Sequence, residues 1–169
     1  MTNPVLKNGH FVDDPWRLLT ETEPTSEGVA HCILPVASWQ QHRDALIASE
    51  VPTGVWIEAD FPPEDLAADL PHLAVVAVHF PAFSDGRGYS AGRLLRERYD
   101  FTGELRAFGD IGLDQLYYLK RCGFDAFVLP AAVSTEDAAK ALHPFEDAYQ
   151  GAVDQPLPRF RRRDTLPGA

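Results

Sequence analysis

Short, nearly continuous apolar runs alternate with segments of helical apolar spacing along the middle of the chain, which is the pattern of strands separated by helices. The run LAVVAVHF at 73–80 is almost continuously apolar, as in a parallel strand covered on both faces. Residues 90–99 and 110–123 instead carry apolar side chains at helical spacing. Each is followed by a further short apolar run, at 105–108 and at 124–129. This alternation predicts a parallel sheet with crossover helices.

Two earlier apolar runs extend the pattern toward the N-terminus. HCILP at 31–35 and GVWIE at 54–58 have the length and composition of short buried strands. We therefore predict an α/β fold with a small parallel sheet of four to five strands, either half-barrel-like or doubly wound. A complete barrel of eight strand–helix pairs needs about 250 residues, and this chain has 169.

The same pattern divides the chain into three parts. Residues 1–29 are polar and irregular, and we expect them to form an N-terminal arm. Within it, Asn8-Gly9 between VLK and HFV predicts a tight hairpin, followed by a loop rich in Thr, Glu, Pro and Ser. Residues 30–151 are expected to form a single α/β domain, and 152–169 a flexible Arg-rich tail.

Composition narrows the class of protein. A formal net charge of −10 disfavours binding to nucleic acid or to an anionic membrane. No apolar run reaches the roughly 18 residues of a membrane span, and no signal peptide is evident, so we expect a cytoplasmic protein. Cys32 and Cys122 are far apart, which argues against a disulfide framework or an iron–sulfur cluster. Because the histidines lack ligand spacing and no dinucleotide fingerprint is present, we predict neither a metal nor a cofactor.

The loop at 84–90, SDGRGYS, is the main candidate for a ligand site. It follows a predicted strand and precedes a helix predicted to begin near Ser90, so free backbone amides at the helix end favour an anion. Arg87 offers a rigid guanidinium fork that suits sulfate, phosphate or carboxylate. The candidate ligand-binding residues are Ser84, Arg87, Gly88, Tyr89, Ser90 and Arg93. The alternative is a tight turn in which the arginine forms a surface salt bridge.

Three residues are weaker candidates for acid–base chemistry. Asp110 and Asp114 follow a second strand, and a carboxylate at the carboxyl end of a strand can act as a general base. The default role for Asp110 is the N-cap of a helix. His79 interrupts an apolar strand and suits acid–base chemistry only if it faces the rim of the sheet. Its default role is that of a buried, hydrogen-bonded core residue.

The segment RLLRERYDFTGELRAFGDIGLDQLYYLKRCGFDAFVL at 93–129 resembles a bacterial family known as domain of unknown function 934. Members of that family are often described as oxidoreductases of sulfite reduction, because their genes lie beside that of sulfite reductase. The resemblance implies a role in assimilatory sulfur metabolism, near the step from sulfite to sulfide. It implies no particular catalytic residues.

These observations lead to one expected function and two alternatives. We expect a bacterial accessory protein of sulfite reduction, with a site for a small oxyanion or a partner at the carboxyl rim of the sheet. One alternative is a non-catalytic protein that docks on sulfite reductase or its electron donor through exposed aromatic side chains and the basic tail. The other is an enzyme acting on a phosphorylated or carboxylated small molecule. Open sheet edges also favour a homodimer.

Overall fold

The computed structural model describes residues 4–20, 31–145 and 147–162. The strands are β1 (Val5–Lys7), β2 (His10–Val12), β3 (Arg17–Leu18), β4 (Cys32–Pro35), β5 (Thr53–Glu58), β6 (Val75–Phe80), β7 (Glu104–Gly109) and β8 (Ala126–Phe127). The α-helices are α1 (Val36–Ala48), α2 (Arg87–Glu97), α3 (Leu113–Arg121), α4 (Thr135–Leu142) and α5 (Arg159–Arg162), with short 3₁₀ helices at Pro63–Leu66 and Leu70–His72. None of the helices in these ranges is long and apolar enough to cross a membrane.

All of these strands form one sheet with the order β2-β1-β8-β7-β6-β5-β4-β3. Strands β3 to β8 are parallel and lie beside their neighbours in chain order. Strand β1 is antiparallel to both β2 and β8. The predicted α/β class is confirmed as a curled half-barrel sheet. The predicted strand number was too low: the described residues contain eight strands, six of them in the parallel set.

The helices cover one face of this sheet. Val55, Val76 and Leu105 are register partners on that face, and they belong to one buried cluster. Helix residues in the same cluster come from α1, α2, α3 and α4, namely Trp39, Leu95, Leu116 and Leu142. Because α1, α2, α3 and α4 all pack on this one apolar layer, the sheet is half-barrel-like rather than doubly wound.

The opposite, concave face carries its own small apolar cluster of Ile33, Val75 and Ala77. Residues 13–19, here called the N-terminal strap, run from the end of β2 at one edge of the sheet to the other edge, where they include β3. The Trp16 side chain of the strap packs against this cluster. Each face of β6 thus has a covering layer, which explains why the run at 73–80 is apolar at almost every position.

The predicted N-terminal hairpin is confirmed. Lys7 pairs with His10 across a two-residue turn in which Asn8 and Gly9 both have positive φ, at 51° and 80°. Such a turn matches the twist of the flanking strands and favours Asn-Gly. The predicted loop rich in Thr, Glu, Pro and Ser falls mainly on residues 21–30, which lie outside the described ranges.

The first part of the predicted tail makes defined contacts with the domain. Arg121, which is buried, donates to Asp154 over 2.7 Å, and its backbone carbonyl accepts from the Val153 amide over 3.2 Å. Arg162 donates to Asp147 over 2.7 Å. The first two contacts hold Val153 and Asp154 against α3, and the third joins α5 to Asp147. Residues 163–169 lie outside the described residues.

Candidate functional site

The two predicted site loops lie side by side at the carboxyl rim of the sheet. They follow the neighbouring parallel strands β6 and β7. The Asp110 carboxylate accepts a hydrogen bond from the Phe83 amide over 2.9 Å, and the Gln115 side chain donates to the Phe83 carbonyl over 3.2 Å. Asp110 is therefore a cross-link between loops rather than the N-cap of α3, a position that Gly112 takes. Asp114 lies exposed in the first turn of the same helix.

The Arg87 guanidinium is already bound by two carboxylates. It donates to both oxygens of Asp85, over 2.6 and 2.9 Å, and to Asp60 over 3.0 Å. These hydrogen bonds lower the pKa of Asp85 to about 2 and raise the pKa of Arg87. A small oxyanion at this position has to displace carboxylates that are part of the same chain.

The other candidate ligand residues are placed in or near α2, which begins at Arg87 and not near Ser90 as predicted. Arg93 donates to Glu97 over 2.8 Å, one turn further along the helix. Gly88 is buried against the Phe80 ring, which would lie only 2.6 Å from a Cβ atom at this position. Tyr89 contacts the same ring edge-on, and burial raises the pKa of its hydroxyl. Ser84 and Ser90 are exposed.

The carboxyl rim as a whole is acidic. The segments that end β5, β6 and β7 carry five carboxylates beside the single guanidinium of Arg87: Glu58, Asp60, Asp85, Asp110 and Asp114. Negative side chains therefore outnumber positive ones in these segments, whereas the sequence predicted a site for an anion there. Across the described part of the chain, no three His, Cys, Asp or Glu side chains are arranged to hold a metal ion.

His79 is the predicted candidate with the most specific surroundings. Its Nδ1 atom lies 2.9 Å from Oε2 of Glu58, its register partner on β5. The imidazole stacks on Phe108 with ring centroids 5.0 Å apart, and Trp56 meets both rings edge-on. These four residues form what we call the concave-face cluster. An imidazole hydrogen-bonded to a carboxylate can accept or donate a proton, and here the carboxylate orients the ring.

A cavity of about 410 Å³ lies beside this cluster at the carboxyl ends of β4 and β5. Its walls are mostly apolar and include Pro35, Trp56 and Phe61. Glu58 and Asp60 supply its carboxylates. Ligands of α/β sheets bind at the carboxyl ends of strands, so the location is the expected one. Trp56, Glu58 and Phe108 were not identified as site residues from the sequence. The one available signal was that Trp56 and Glu58 are two residues apart on β5 and therefore lie on the same face.

A second feature lies on the helix-covered side, where aromatic side chains are exposed. Tyr118, Phe145, Tyr149 and Phe160 are between 50% and 66% exposed, and we call them the aromatic surface. Tyr118, Phe145 and Tyr149 line a cavity of about 440 Å³ between α3 and residues 145–152. Phe160 of α5 lies against Tyr149, with ring centroids 6.2 Å apart. Aromatic side chains clustered this way are typical of the cores of protein interfaces.

One comparison with known proteins gives a match. The profile of a family described as "Bacterial protein of unknown function (DUF934)" matches residues 54–160. This range contains both rim loops, the concave-face cluster and the aromatic surface. No curated protein and no solved structure matches the chain.

Proposed function

The chain belongs to the bacterial protein family of unknown function DUF934, and on this premise we propose that it is an accessory protein of assimilatory sulfite reduction that docks on a partner. The proposed partner is sulfite reductase or its electron donor. The resemblance of residues 93–129 to proteins whose genes accompany sulfite reductase supports this metabolic setting. The observation that carries the docking role is the aromatic surface.

The aromatic surface has the composition of a protein-binding site. Large, rigid aromatic side chains with few rotatable bonds, together with arginines, dominate binding energy in interfaces. Arg93 lines the cavity that the aromatic surface surrounds, and Arg161 lies with its guanidinium carbon 6.0 Å from the centre of the Phe160 ring. Arg159 is also exposed, on the same short helix.

Local charge indicates the chemistry of the partner. The chain as a whole carries a net charge of −10, yet three arginines flank the aromatic surface. Arg93 is paired with Glu97 and Arg159 with Asp147, and Arg161 lies beside Phe160. A partner surface with acidic residues around an apolar centre complements this arrangement, and such complementarity speeds encounter and fixes orientation.

The geometry favours docking over binding of a small oxyanion. An oxyanion at Arg87 competes with Asp85 and Asp60, and one at Arg93 competes with Glu97. An enzyme acting on a phosphorylated or carboxylated compound at the same rim meets the same competition. Docking through the aromatic surface leaves the ion pairs of Arg87 closed, because the aromatic side chains supply the main contact.

Binding of the purified chain to purified sulfite reductase, and separately to its electron donor, tests the proposal by biolayer interferometry. We expect a complex that Phe145→Ala and Tyr149→Ala each weaken by about tenfold or more. The matched control is Phe83→Ala, because Phe83 is an equally exposed aromatic residue that lies in the rim loop. Absence of a complex with either protein, or an equal loss with Phe83→Ala, contradicts docking through the aromatic surface.

Calorimetric titration with sulfite and sulfate separates the oxyanion alternative. Docking predicts no heat of binding from either anion. Heat from the wild-type chain that disappears in Arg87→Ala supports a rim site for the anion instead.

A further inference from the structure

We propose that the cavity at the carboxyl end of the concave face binds a flat organic cation, such as an aromatic amidinium or a protonated nitrogen heterocycle. The site lies at the carboxyl ends of β4 and β5, and its lining shares no residue with the aromatic surface or its cavity. The inference therefore stands apart from the docking role, and the failure of one leaves the other intact.

The volume and the lining of the cavity favour a ring system. Its volume of about 410 Å³ falls in the range of small-molecule sites, roughly 300–1,000 Å³. Trp56, Phe61 and the neighbouring prolines Pro35 and Pro62 provide broad apolar walls. A ring system gains contact with such walls without ordering many rotatable bonds.

The charge of the cavity selects a cation. Glu58 and Asp60 line it, and no lysine or arginine is among the described residues of its wall. Asp60 also accepts from Arg87 of the rim over 3.0 Å, so Glu58 is the main source of the negative charge. Glu58 uses Oε2 for His79 and is 49% exposed, so its second oxygen is accessible to a ligand. A tryptophan ring is also the side chain that attracts a cation most strongly through its π-face. An anion in the same place is repelled by the Glu58 carboxylate.

Contacts outside the cavity hold its binding groups in place. The indole nitrogen of Trp56 donates to the Leu19 carbonyl of the N-terminal strap over 2.9 Å. The rings of His79 and Phe108 each meet Trp56 edge-on, at centroid distances of 6.2 and 6.1 Å. Glu58 is held in turn by His79. Groups fixed before the ligand arrives lose little conformational freedom on binding.

Three probes of nearly equal shape test the proposal: benzamidine, which is a cation, benzamide, which is neutral, and benzoate, which is an anion. We expect saturation-transfer NMR and calorimetry to detect benzamidine, to detect benzamide at least tenfold more weakly, and not to detect benzoate. The His79 ring resonances, assigned by comparison with His79→Gln, are expected to shift on addition of benzamidine. Benzoate binding as tightly as benzamidine overturns the proposal, as does the absence of benzamidine binding.

Two isosteric variants locate the site. Glu58→Gln removes the accessible carboxylate charge and is expected to weaken benzamidine by at least tenfold. Asp114→Asn removes an exposed rim carboxylate that does not line the cavity and is expected to leave the affinity unchanged. Circular dichroism melts establish that both variants are folded. Equal affinity for benzamidine in Glu58→Gln and in the wild-type chain refutes the assignment.

Discussion

Asp14 and Arg106, which are 92 residues apart in the chain, form a buried two-pronged ion pair on the concave face. The Arg106 Nη1 atom lies 2.6 Å from Oδ2 of Asp14, and Nη2 lies 3.0 Å from Oδ1. Only 2% of the Arg106 side chain is exposed. The pair fastens the N-terminal strap to β7, and Glu104 completes the shell of the guanidinium over 2.7 Å.

Loss of this ion pair is expected to destabilise the fold strongly. Asp14→Asn leaves the buried Arg106 charge without its main partner, a change that typically costs about 3–5 kcal/mol, with Glu104 offsetting part of it. Urea denaturation followed by tryptophan fluorescence measures the difference. The control is Asp13→Asn, since the neighbouring aspartate is exposed and its replacement should stay within about 0.5 kcal/mol. Equal stability of the two variants contradicts a structural role for the pair.

Packing between α2 and Phe124 leaves no room for a side chain at Gly92. A Cβ atom there would lie 2.3 Å from the Phe124 ring. Gly92→Ala is therefore expected to lower the free energy of unfolding by about 1–3 kcal/mol, despite the better helix propensity of alanine. Gly86→Ala is the matched control because a Cβ atom at Gly86 meets nothing within 4 Å. Thermal melts of both variants check the prediction, which is wrong if Gly92→Ala is as stable as Gly86→Ala.

The hydrogen bonds from Arg87 make Asp85 an unusually acidic carboxyl group. Its pKa is lowered from 3.8 to about 2, so the pairing contributes fully above pH 3.8 and is lost as the pH falls toward 2. In Arg87→Gln the Asp85 pKa is expected to return toward 3.8. Carboxyl ¹³C NMR titration measures this change. Asp147, whose pKa is lowered by Arg162, serves as the internal control and should not move.

Burial makes Cys122 a poor nucleophile. Removal of the thiolate from water raises the pKa of the Cys122 thiol, and Cys32 is buried as well. We expect iodoacetamide to alkylate both thiols at least about tenfold more slowly in the native chain than in urea, as measured by mass spectrometry. Rapid labelling of Cys122 in the native chain runs against this expectation.

The sequence predicted correctly those elements that depend on short stretches of neighbouring residues. Asn8-Gly9 indicated the hairpin because both residues tolerate positive φ. The apolar run at 73–80 indicated a strand covered on both sides. Strand β3 was missed, because Arg17–Leu18 is too short to show any period and is a strand only through pairing with β4.

The start of α2 was misplaced for an identifiable reason. Two glycines at 86 and 88 are typical of a loop, but Gly88 lies within the helix, where the Phe80 ring excludes a side chain. The Asp85 carboxylate accepts from the Arg87 amide over 3.1 Å at the helix start. Neither contact can be inferred without knowing where β6 lies.

The concave-face cluster depends on strand register. Glu58 and His79 are neighbours because β5 and β6 pair in that register, and Phe108 is the partner of His79 on β7. Alternation along a strand shows which of its own residues share a face, but not which residues of the neighbouring strands lie opposite them. The sequence therefore indicated His79 as a candidate without indicating its partners.

The antiparallel pairing of β1 with β8 has a consequence during synthesis. Residues 5–7 leave the ribosome long before 126–127, with which they pair. Until then β1 lacks its second neighbouring strand, and the strap gains the Arg106 charge only after β7 has been synthesised. Completion of the sheet edge formed by β1 and β2 is thus a late event in folding, whereas the edge formed by β3 needs only β4.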